Sequence, residues 1–218
     1  MSKIVFAAIS PHPPLLLPSV GSNEDKLRVE KTIESLRVLG KELENTKPDL
    51  IIISSPHEDW GFNVPLFFLA EDFKGEIKKY LIGPELPNYY FEQGKEIYQK
   101  LKIDNCCVGT VGKLKIALIA SGDLSHCLKE DGPYAFHSDG PKFDKTLIEC
   151  LKNKDIEGIL NLDTKYPEAG ECGLRSFCFL LGFLEEYSKN SKQTWQTEIL
   201  SYEGPFGVGY LTAKFNLK

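Results

Sequence analysis

Three short apolar stretches do most to restrict what this chain can become: "IVFAAI" at 4–9, "KPDLIIIS" at 47–54 and "KLKIALIAS" at 113–121. Their cores do not alternate polar with apolar residues. A strand that is apolar at successive positions must be covered on both faces, as in parallel sheets packed between helices. Between the first two lies "EDKLRVEKTIESLRVLGKELENT", where Leu27, Ile33, Leu36, Leu39 and Leu43 recur at helical spacing with charges between them. Strand, amphipathic helix, strand predicts a βαβ unit.

The rest of the chain extends this pattern. "NVPLFFLA" (63–70) reads as another strand and "EIKKYLI" (76–82) as an edge strand. "NYYFEQGKEIYQKLKI" (88–103) reads as a helix and "NCCVGTVG" (105–112) as a strand. Residues 121–142 are rich in Gly, Pro, Asp and Ser and predict a loop. "FDKTLIECLKNKDIEGILNL" (143–162) predicts one or two helices, and "GLRSFCFLLGFLEEYSK" (173–189) an apolar core helix. "WQTEILSYE" (195–203) and "VGYLTAKF" (208–215) read as closing strands. The expectation is one α/β domain over 1–218, with a central mixed, largely parallel sheet flanked by helices.

Composition narrows the function. A net charge of −5 argues against nucleic acid as the main partner. No apolar run reaches the roughly 18 residues of a membrane span, and the N-terminus reads as a strand rather than a signal peptide. Six cysteines without C-x-x-C spacing then read as reduced thiols of a cytoplasmic protein. There is no G-x-G-x-x-G or Walker loop to signal a nucleotide.

The four histidines carry the chemistry. His12 in "ISPHPPLLLP" and His57 in "IIISSPHEDW" share one local context, a Ser-Pro corner just past a strand. His126 follows the strand ending in "IAS" through the short turn "GDLS". In open α/β sheets ligands bind at the C-terminal strand edge, so three histidines at equivalent strand ends predict one site there. A lone loop histidine is more often bonded to backbone, but three in this arrangement favour metal binding or acid–base work. Two histidines and a carboxylate make the facial triad of non-haem Fe(II) sites. Glu168 and Glu171 in "YPEAGECGLRSF" are candidates for that carboxylate, although either suits the N-terminus of the helix that follows. Cys172 is an alternative soft ligand, and Cys172 or Cys127 could pair with a histidine as a nucleophile. Asp123 suits orienting a histidine, bonding substrate, or an Asx turn. His137 lacks a strand-end context.

"SPHPPLLLP", "SPH" after an apolar strand, "GDLSH", "EAGECGLRSF" and "SYEGPFGVGY" together resemble the class III extradiol ring-cleaving dioxygenase superfamily. Protocatechuate 4,5-dioxygenase is its type, and the likeness is greatest to an AMMECR-associated, Memo-related branch. The resemblance implies His12, His57 and Glu171 as metal ligands, with Cys172 the ligand if the Memo-type register holds, and His126 as the catalytic histidine. It implies Fe(II), with Zn or Cu as alternatives, O2 as co-substrate, and a phenolic or catechol-like substrate opened in aromatic catabolism. Tyr89, Tyr90, Phe136 and Phe206 are candidate pocket residues. It further implies a homodimer and association with an AMMECR-type domain. The alternatives are a Memo-like metal-binding or interaction module without turnover, or a metal-assisted hydrolase.

Overall fold

The computed structural model describes residues 2–107 and 114–218, with backbone alone for 102–107. The chain runs β1 (Lys3–Ser10), a 3-10 turn (Pro14–Leu16), α1 (Asn23–Arg28), α2 (Glu30–Thr46), β2 (Leu50–Ser55), α3 (Trp60–Ala70), β3 (Glu76–Leu81) and α4 (Pro87–Cys107). It continues through β4 (Lys115–Ser121), α5 (Asp139–Asn153), α6 (Ile156–Leu160), α7 (Leu162–Lys165), α8 (Leu174–Ser191), β5 (Trp195–Glu203) and β6 (Tyr210–Leu217). The six strands form one sheet in the order β3-β2-β4-β1-β6-β5. The first four in that order are parallel; β6 runs antiparallel to β1, and β5 antiparallel to β6.

The unbroken apolar strands are explained by what covers them. Leu50 and Ile52 of β2, with Ile116 and Leu118 of β4, join one buried cluster with residues of α4, α5 and α8. Ile51 and Ile53, with Ala117 and Ile119, join a second cluster with α2 and α3. Each strand therefore needs an apolar side chain at every step, and each buried Leu or Ile contributes about 1.5–3 kcal/mol. A bulge between Ile4 and Phe6 sends Ile4 to the first cluster and Phe6 to the second.

Three expectations are corrected in detail. The segment 63–70 is helical, within α3, with Pro65 inside the helix. Its apolar run serves a helix packed on α2 beneath the sheet, and periodicity cannot distinguish that from a buried strand. The helix read over 24–46 is two helices meeting at Val29. Within the sheet, β4 lies between β1 and β2 and pairs with both. Of the strand read over 105–112, the first three residues end α4 and the remainder lies outside the described residues.

Candidate metal centre

The order β2-β4-β1 places three strand ends side by side, and each is followed by one of the three histidines. After β1 comes Pro11-His12-Pro13-Pro14. Prolines carry no N–H, so His12 offers the only backbone donor in those four residues. It is spent on Asp123 Oδ1 at 3.0 Å, which ties the β1 corner to the β4 loop. After β2, Ser55 Oγ accepts from His57 N at 3.1 Å and donates to His57 O at 2.9 Å, closing that corner. After β4, His126 N donates to Ala169 O at 3.1 Å and Leu124 N to Gly209 O at 2.8 Å.

The residues preceding α8 complete the site. Gly173 N donates to Asp123 O at 3.0 Å, and Asp123 N to Cys172 Sγ at 3.3 Å. This crossing needs glycine on both sides. A Cβ on Gly122 would lie 2.2 Å from Gly173 Cα, and one on Gly173 would lie 2.9 Å from Asp123 O. Gly122→Ala is therefore expected to lower stability by about 1–3 kcal/mol and to separate Cys172 from His126. A denaturant melt beside a metal titration checks both.

Five donors converge. Metal-ligating atoms of His12, His57 and Cys172 all lie within 4.8 Å of one another, as do those of Asp123, His126 and Cys172. The His12 and His57 rings meet edge to face with centroids 5.1 Å apart. Cys172 Sγ is 3.5 Å from His12 Nε2, and Asp123 Oδ2 is 3.8 Å from the same atom. His126 Nε2 is buried with no hydrogen-bond partner among the described residues.

Burial sets the charges. It pulls the His12 pKa down to about 3, helped by His57, and also lowers that of His126, against the pull of Asp123. It pushes the Asp123 carboxyl up to about 6 and, with the Asp123 charge beside it, the Cys172 thiol well above its usual range. Neutral imidazoles beside a thiol and a carboxyl that resist ionising form a site short of positive charge. A bound divalent cation reverses that logic and deprotonates a coordinating thiol.

Other expected residues lie elsewhere. Glu171 is in neither group. Its Oε2 accepts from Leu174 N at 2.7 Å in the first turn of α8, and its Oε1 from Arg175 at 3.1 Å. Glu168 is exposed, and its N–H bonds Asp139 at 3.3 Å. His137 is exposed, with Nδ1 accepting from Asp139 N at the start of α5. Cys127 is buried, and its thiol is pushed up in pKa by that burial. Tyr90 is in the core and Phe206 lies under the Arg28 guanidinium, while Tyr89 and Phe136 are exposed. Two exposed rings outside the expected set do touch the site: Trp60 stands 5.3 Å from His57, and Tyr134 stacks on His126 at 5.5 Å. Trp60 lies three residues beyond His57, an aromatic at an exposed strand-end corner, and that was the available signal.

Asp144 was not singled out either. It is buried on α5, accepts from Ser125 N at 2.8 Å and Tyr202 OH at 2.6 Å, and so holds the loop that carries His126.

Residues 58–213 match the family described as the catalytic LigB subunit of aromatic ring-opening dioxygenase. The chain belongs to this family. The match begins one residue after His57, so neither His12 nor His57 lies within the matched residues. Protein CA_C1420 of Clostridium acetobutylicum is 31% identical over 267 residues, an alignment covering 92% of this chain and 55% of that protein. The chain thus spans about half the length of this curated relative. The crystal structure of the uncharacterized protein JW3007 from Escherichia coli K12 shares the fold, with a TM-score of 0.57 at 14% identity. It is covered over 99% of its length, and this chain over 96%. Among the described residues no helix is long and apolar enough to cross a membrane.

Proposed function

We propose that this chain is a non-haem Fe(II)-dependent oxygenase that uses O2 to open a catechol-type ring outside its diol. In this reading His12, His57 and Cys172 hold the metal and His126 is the catalytic acid–base. The observation that supports it best is the convergence of the donors after β1 and β2 on Cys172, with His126 beside them. The donor set, two imidazoles and a thiol, fits a divalent cation by the chemistry of its ligand atoms. A metal bound there supplies Lewis acidity to a coordinated substrate hydroxyl.

The chain's own residues supply the rest. Burial favours the neutral form of His126, and its Nε2 has no hydrogen-bond partner among the described residues, so it suits taking a substrate proton and returning it later. Asp123 fixes the His12 corner through its backbone bond. Trp60 and Tyr134 offer ring faces beside His57 and His126 to a planar substrate. Trp60→Ala and Tyr134→Ala are each expected to weaken binding of 4-nitrocatechol about tenfold while metal content is unchanged. Absorbance titration beside metal analysis checks this.

The deciding experiment is anaerobic reconstitution with Fe(II), followed by O2-uptake measurements across a catechol panel. Metal-dependent uptake, lost in His126→Ala with iron retained, is the expected result; no uptake on any catechol overturns ring cleavage. A second reading, a metal-binding or interaction module without turnover, is favoured by one feature, the Cys172 thiol among the donors. Thiolate with imidazole suits Zn or Cu. Preferential retention of either metal, without O2 uptake, supports it. Cytoplasmic location, a homodimer and association with an AMMECR-type domain belong to the same proposal. Their support is the motif resemblance, and gel filtration with and without such a domain tests the last two.

A further inference from the structure

Pro65 stands inside α3 and has no N–H to give to the carbonyl four residues earlier, that of Gly61. That carbonyl accepts instead from the Ser121 hydroxyl at the end of β4. Gly61 can sit there only without a side chain, because a Cβ would lie 2.1 Å from Ser55 Oγ and 2.9 Å from His57 Cβ. A hydroxyl has one proton to give. With that proton on the Gly61 carbonyl, Ser121 Oγ can meet His12 Nδ1, 2.9 Å away, only as an acceptor. Nδ1 therefore carries the ring hydrogen. His12 is 1% exposed, and such burial favours the neutral ring. A neutral imidazole protonated on Nδ1 keeps its lone pair on Nε2, and Nε2 is the atom that faces Cys172 and Asp123.

We propose that Pro65, Gly61 and Ser121 are positioning residues that lock His12 in its Nδ1–H tautomer and present Nε2 as a preformed metal ligand. The inference rests on the proposed metal site for its purpose, but not for its geometry. It also explains a proline inside a helix. The missing helix bond leaves free the one carbonyl that the neighbouring strand end uses.

The test is the ring-nitrogen NMR shifts of His12 in metal-free protein at neutral pH, assigned by loss of its signals in His12→Gln. Hydrogen on Nδ1 and a bare Nε2 are expected. Ser121→Ala is expected to populate the Nε2–H form and to weaken zinc binding about 10–100-fold. Pro65→Ala supplies Gly61 with a backbone donor and is expected to move the same signals the same way, by less. It also serves as the test variant if Ser121→Ala fails to fold. Wild-type hydrogen on Nε2 overturns the inference, as do shifts unmoved by Ser121→Ala. Signals unmoved by Pro65→Ala remove Pro65 from it. A protein with the expected tautomer that takes up no metal overturns the proposed function and leaves the tautomer lock standing.

Discussion

With the metal site proposed above, Cys172→Ala is expected to abolish metal binding and Glu171→Gln to leave it intact. The two residues are adjacent, but their side chains serve different ends of the same turn. Cys172 Sγ lies in both donor groups, 3.5 Å from His12 Nε2. Glu171 is spent on Leu174 N and Arg175 at the start of α8. Altering residues that merely support a ligand typically costs 10–100-fold in metal affinity, so removing a ligand should cost at least about 100-fold. Chelator competition on the purified variants reads this directly. Glu171→Gln should keep wild-type metal content and instead lose about 1–3 kcal/mol of stability, because Arg175 loses a buried anionic partner. The opposite pair of results returns the third ligand to Glu171.

That one-residue question shows where sequence reading stops. The helix that begins at Leu174 needs an acceptor for its first amides, and the site needs a third donor. "GEC" supplies both, and nothing in its order says which residue faces which way. The three strand-end histidines were legible because an apolar run followed by Ser-Pro-His or Gly-Asp-Leu-Ser-His encodes both the strand and its exit. Their meeting at one edge also needed β4 to insert between β1 and β2, which is a matter of sheet order that local pattern does not carry. The run 63–70 reads like a strand because Val64 and Leu69 are buried in α3 as fully as strand residues are. Asp144 was invisible for a different reason. In "FDKTLIECLKN" it looks like one more charge on the wet side of an amphipathic helix. Only the packing of β5 and the β4 loop against α5 shows it to be buried.

Asp144 gives the second large effect, and its sign depends on pH. Burial pushes its carboxyl up to about 6, partly offset by the bonds from Tyr202 and Ser125. Between pH ~4 and ~6 the folded chain therefore keeps a proton on Asp144 that the unfolded chain has released. A group raised in this way stabilises the fold below its unfolded pKa, and that contribution is lost as pH rises through the folded value. Here the loss is roughly 2–3 kcal/mol, complete a little above pH 6. Asp144→Asn keeps an acceptor for Ser125 N but cannot ionise. Denaturant unfolding at pH 4 and pH 7 should show its stability rising relative to wild type by about that amount. A constant difference across that range would mean that the carboxyl titrates normally. Asp144→Ala behaves differently. It leaves Ser125 N–H buried without an acceptor, a cost of about 1–3 kcal/mol that does not vanish at either pH. It also frees the loop between Asp123 and His126, while His12 and His57 keep their own corners. Metal retained with lost turnover in Asp144→Ala, and turnover restored in Asp144→Asn, would separate holding the loop from carrying the charge.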